Sequence, residues 1–192
     1  MILAHPMNPA KTALILIDMQ NDVLQSIVPT GVQVVPAIRR TLQAFRDHRM
    51  PIIHCLRIHR ADGVDVEKFR IERFLQHPIL VPGTHGAEVI AELAPQPGEY
   101  VVTKSRFSGF FQTDLLMIVQ RLGVNRLVVV GVQTPNCVRA TATDALAYDL
   151  DVLLLDDAIT ALTPEIHRAN IYDLEHMGAK TATVDEFIAS LG

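Results

Sequence analysis

Six short apolar runs, ALILI (13–17), PIIHCL (51–56), YVVT (100–103), RLVVV (126–130), DVLLL (151–155) and KTATV (180–184), recur along the whole chain with longer amphipathic stretches between them. Most are continuously apolar rather than alternating, as expected of strands covered on both faces in a parallel sheet. The stretches between them carry helical signals. After Val34, the residues Ile38, Leu42 and Phe45 fall on one helical stripe. Thr113-Asp114 opens a segment in which Leu115, Val119 and Leu122 share a face, and Gly123 closes it. In TPEIHRANIYDLEHMG, Thr163 reads as a cap, Pro164 as first-turn residue and Gly178 as the stop. This alternation predicts one three-layer α/β/α domain over residues 1–192, built on a six-stranded, mostly parallel, Rossmann-like sheet.

Composition narrows the setting. The 192 residues are 49% apolar with a formal charge of −4, which fits an ordinary soluble domain able to bury a full core without disulfides or metal. Mild acidity gives no footprint for nucleic acid or an anionic membrane. No run is long and apolar enough to span a bilayer, and MILAHPMNPAK does not read as an export signal. Cys55 and Cys137 form neither a CxxC pair nor a disulfide framework, so a cytoplasmic location is expected.

In open parallel sheets ligands gather at the carboxyl ends of the strands. Asp18, Arg57–Arg60, Lys104 and Cys137 each follow one of the first four apolar runs, which makes them one candidate site. With Thr134 as helix cap and Pro135 as the first helical residue, Cys137 falls in a first turn, where unpaired N–H groups and the helix dipole favour a thiolate. A buried structural cysteine is the competing reading. Asp18 is placed either to take a proton or to cap a turn. Lys104 either steadies negative charge or snorkels to water.

The chain resembles the isochorismatase-like cysteine hydrolases, a superfamily that includes nicotinamidases, N-carbamoylsarcosine amidohydrolase, biuret and ureidoacrylate amidohydrolases, and isochorismatases. LILIDMQND (14–22), KSRFSGFFQTDL (104–115), LVVVGVQTPNCVRATATDA (127–145) and the trailing DDA (156–158) carry the resemblance. It implies a catalytic set of Asp18, Lys104 and Cys137. It also implies a non-proline cis peptide joining Val132 to Gln133, and an oxyanion hole formed by the N–H groups of Gln133 and Cys137. The implied reaction is thioester-mediated cleavage of a C–N bond in a small amide or ureide, with no cofactor and in a homo-oligomer, a dimer or tetramer.

Two departures matter. Metal-dependent nicotinamidases carry an Asp-x-His pair after the second strand, whereas here the stretch reads Arg57-Ile58-His59. A cation in that place repels a divalent metal, so none is expected. Val23 stands where the family usually has Phe, which alters the pocket. Gln20, Val23, Arg57, His59, Phe107 and Phe110 are the candidate substrate contacts. Arg57, Arg60 or Arg70 could meet a substrate carboxylate. Alternatively, most of these arginines pair with Asp62, Asp65, Glu67 and Glu72 on a solvated surface. Two other functions compete: vinyl ether hydrolysis of the isochorismatase type, and a catalytically inactive homologue that binds a metabolite.

Overall fold

The computed structural model describes residues 8–191. Six parallel strands, β1 (Thr12–Ile17), β2 (Ile52–Arg57), β3 (Tyr100–Lys104), β4 (Arg126–Val132), β5 (Asp151–Thr160) and β6 (Lys180–Ala182), lie in the order β3-β2-β1-β4-β5-β6. Six α-helices, α1 (Val35–Asp47), α2 (Ile71–Gln76), α3 (Leu115–Arg121), α4 (Arg139–Ala147), α5 (Pro164–His176) and α6 (Val184–Ala189), complete the fold.

The unbroken apolar runs are explained by two cores. Along β1, Ala13, Ile15 and Ile17 face one way and meet Leu115 and Val119 of α3, Ala142 and Ala145 of α4, and Ile171 and Leu174 of α5. Leu14 and Leu16 face the other way, toward Ile38, Leu42 and Phe45 of α1 and Val184 and Phe187 of α6. Because successive side chains point to opposite faces, a central strand in this sandwich has no polar face to show. The expected three-layer arrangement is the observed one.

Thr113-Asp114 opens α3 as expected, with Asp114 at the N-cap and the Thr113 hydroxyl accepting the Leu115 N–H at 3.2 Å. Local chemistry departs from the expectation in two places. The KTATV run ends early, because Thr183 leaves the strand to cap α6 in a reciprocal capping box with Glu186. β5 runs five residues past its expected end. Its pairing with β4 passes from Val129↔Leu154 to Gly131↔Ile159, so Leu155–Ala158 bulge out of register. The DDA segment is that bulge. Asp156 reaches His167 of α5, and Asp157 accepts the Val184 N–H at 2.8 Å to tie in α6.

The strand order reverses between β1 and β4, where crossovers run in opposite directions and open a crevice at the strands' carboxyl ends. Gly131 makes the close approach there. Its φ is +113°, and a Cβ at this position would run into the Ile17 carbonyl.

Candidate active site

Four neighbouring strands each deliver one charged or nucleophilic side chain to this crevice. In sheet order they are Lys104 from β3, Arg57 from β2, Asp18 after β1 and Cys137 after β4. Asp18 leaves its strand in the left-handed region (φ 54°), which Asp tolerates better than most residues, and its N–H is held by the Cys55 carbonyl at 2.9 Å. Lys104 Nζ donates to Asp18 Oδ2 at 2.9 Å. Both side chains are buried, and Asp18 Oδ1 has no hydrogen-bond partner.

The Val132–Gln133 peptide is cis, and the chain then enters a wide π-type turn over Thr134–Val138. Thr134 is not the cap. Its hydroxyl is hydrogen-bonded to His167 Nδ1 at 2.8 Å, and His167 Nε2 meets Asp156 Oδ1 at 2.9 Å. Gln133 takes the N-cap position instead, with its carbonyl accepting the Asn136 N–H at 3.1 Å. Thr141 pins the next turn, donating to the Cys137 carbonyl and accepting from the Gly109 N–H.

The resting thiol also differs from expectation. Burial, reinforced by the negative charge of Asp18, pushes Cys137 up to about 12, so the first-turn position does not leave a thiolate at neutral pH. Burial likewise works against the charge on Lys104, but the Asp18 carboxylate 2.9 Å away outweighs it and holds the ammonium above its ordinary value. The cluster at rest is therefore a thiol beside a carboxylate–ammonium pair.

The other candidates separate into three groups. Gln20 is fully buried and committed to the backbone. Its amide donates to the Arg57 and Ala87 carbonyls and accepts the Arg57 N–H at 2.8 Å. Val23 packs into the α1-side core and Phe110 into the opposite one, where its ring lies 5.4 Å from that of Tyr148. Arg57, His59 and Phe107 do belong to the crevice. Arg57 pairs with Glu67 at 2.8 Å and lies over the Phe107 ring, 5.1 Å from its centroid.

Two residues of the β2–β3 connection join them although the sequence ranked them with the surface. Arg70 also lies over Phe107 at 5.1 Å, and Glu67 is almost fully buried. Arg60 does keep to the surface, paired with Asp62. A cavity of about 420 Å³ opens beside this cluster and is lined by Arg57, Arg70, Arg73, His59 and His77 with apolar neighbours. The set does not suit a metal. The Arg57 guanidinium occupies the place an anionic ligand would need, and no group of three or more His, Cys, Asp or Glu side chains among the described residues could hold one. No helix among the described residues is long and apolar enough to cross a membrane.

A doubly covered parallel sheet with Asp18, Lys104 and Cys137 at the strand ends around its topological switch point is the architecture of the isochorismatase-like α/β fold. Residues 12–186 match the Isochorismatase domain, and the chain belongs to that family. It is 40% identical to a probable inactive nicotinamidase of Arabidopsis thaliana, over 94% of this chain and 96% of that one. It is 28% identical to a ureidoacrylate amidohydrolase of Rhizobium rhizogenes, covering 96% and 85% of the two chains. Among solved structures, an isochorismatase family protein from Desulfovibrio vulgaris superposes with a TM-score of 0.90 at 41% identity, covering 94% and 98%.

Proposed function

We propose that the protein is a cysteine amidohydrolase that cleaves a C–N bond in a small amide or ureide. The observation that carries this reading is the division of labour on Asp18. Oδ2 is held by Lys104 while Oδ1, buried and without a partner, is left to receive a proton beside the Cys137 thiol.

The steps follow from those positions. As the sulfur attacks the substrate carbonyl, its proton passes to Asp18, so no free thiolate need persist in the resting enzyme. Lys104 offsets the charge that builds on the sulfur and the carboxylate. The N–H groups of Gln133 and Cys137, offered as the oxyanion hole, meet the developing alkoxide, the kind of preorganised donor pair that contributes most in acyl transfer. Asp18 returns the proton to the departing nitrogen, which leaves as ammonia or an amine. A water that gives its proton to Asp18 then cleaves the thioester, releasing the acid and restoring the thiol. Asp18 thus relays the proton in each half of the reaction, from sulfur to the leaving nitrogen and then from water back to sulfur.

The amidohydrolase relative supports the reaction class. The Arabidopsis relative supports a competing reading, in which the protein binds a metabolite without turnover. Ammonia release from a panel of primary amides and ureides separates the two. The proposed enzyme releases ammonia from at least one of them, and Cys137→Ala reduces that rate by a factor on the order of 10⁴ or more. Equal release by the variant rules out the nucleophile. No release from any compound, and no acyl adduct on Cys137 by intact mass, supports the binding reading.

A further inference from the structure

The crevice contains more positive charge than its own carboxylates neutralise. Arg57 and Arg70 both rest on Phe107, and both turn to a single oxygen, Glu67 Oε1, at 2.8 and 3.7 Å. Arg57 is only 4% exposed, yet its Nε has no hydrogen-bond partner. Buried guanidinium donors are rarely left unused without a reason. Arg73 lines the same cavity, and no carboxylate does. His59 adds no compensating anion. It is held below its ordinary value by burial and by Arg57, and is neutral near pH 7.

Two further facts fix where an anion would sit. Asp18, Lys104 and Cys137 do not line the cavity, but Arg57 does, and it sits in register beside Lys104 on the neighbouring strand. The Phe107 ring under both guanidiniums lines a hollow with Pro135 and Asn136, the residues just before Cys137. The guanidinium pair thus joins the cavity to the strand ends that carry the candidate site. A planar guanidinium fork matches a planar carboxylate with two parallel hydrogen bonds, and two guanidiniums sharing one internal carboxylate are complemented by one more.

From this juxtaposition we infer that Arg57 and Arg70 form a carboxylate clamp, and that the substrate is a small amide carrying a carboxylate a few bonds from its scissile carbonyl. The inference rests on the reading of Cys137 as the site of attack. It is tested without the thiol, so the two can fail separately.

Malonamate, succinamate and glutaramate share an amide end with malonamide, succinamide and glutaramide and differ from them by a carboxylate. Calorimetric titration into Cys137→Ala compares each pair. The clamp requires at least one acid to bind about ten-fold or more tightly than its diamide, as a charge-assisted bidentate contact warrants. That preference should weaken as salt rises. It should vanish in Cys137→Ala/Arg70→Gln and largely return in Cys137→Ala/Arg70→Lys. Arg70 is chosen because its side chain is 34% exposed, so the fold tolerates its change better than the loss of Arg57. Equal binding of every acid and its diamide, binding of none of the six, or a preference that survives Arg70→Gln overturns the clamp. Ammonia release by the unmodified enzyme judges the nucleophile independently.

Discussion

Cys137 is placed by one set of forces and kept protonated by another. Its position after β4 follows from the apolar run and the Thr-Pro step that ends it, and both are visible in sequence. Its protonation depends on burial in a core assembled from distant parts of the chain, with the Cys137 carbonyl tied through Thr141 to Gly109. Burial of that kind is a tertiary property that no local pattern records, and it works against the thiolate that the first-turn position favours. The structure makes a sharper statement about Asp18. In Asp18→Asn the negative charge that helps hold the thiol protonated is gone while Lys104 remains. The pH midpoint of Cys137 alkylation should therefore move below that of the wild type while ammonia release is lost. A midpoint that stays put or rises would show that Asp18 does not face the sulfur as described.

At the level of elements, strands were legible and irregularities were not. Apolar runs located the strands, and those of the middle of the sheet are continuous because a doubly covered sheet excludes polar residues there, whereas KTATV at the edge alternates. The link between Thr134, Asp156 and His167 is not legible in the sequence because it exists only through the β5 bulge, which displaces Asp156 toward α5. Together they tie the turn bearing Cys137 to a strand and a helix on its far side. Thr134 is completely buried, so deleting its partner leaves a hydroxyl without a hydrogen bond. His167→Ala should cost about 1–3 kcal/mol in urea unfolding. Thr134→Val/His167→Ala should recover part of that loss, since removing both partners is milder than removing one. Sequence spacing likewise could not tell Arg70 from Arg60. Both sit in a charged stretch, and only the path of the chain decides which one turns inward.

Across the whole molecule the strand order, and with it the crevice, lay beyond what periodicity can tell, although the number of strands and the layering did not. The assembled fold also has an acid sensitivity that follows from its buried groups. His54 is held below its ordinary 6.5 chiefly by burial, with Glu99 opposing, and His59 is lowered by burial and Arg57. A histidine lowered in the folded state binds its proton more readily once unfolded. Stability is then full above about 6.5 and declines as pH falls from there toward the folded-state value. Glu67 and Glu99 add a second loss. Burial works to raise them, but their arginine partners prevail and keep both below 4.5, so their contribution disappears as pH drops beneath that value. Urea midpoints should be level from pH 8 to 7, fall between about 6.5 and 5, and fall again below about 4.5. A flat profile down to pH 5 would mean that the two histidines are not buried as neutral groups.

Asp18, Arg57, Lys104 and Cys137 are spread through well over half of the chain, yet they stand on four adjacent strands. Cut the polypeptide anywhere between the first and the last of them, and neither fragment carries the full complement. A nascent or partly unfolded copy therefore has a sulfur without its acceptor and arginines without their task. Under the proposed mechanism, chemical competence arrives only when the last of those strands has docked, which would make ammonia release a direct readout of that docking.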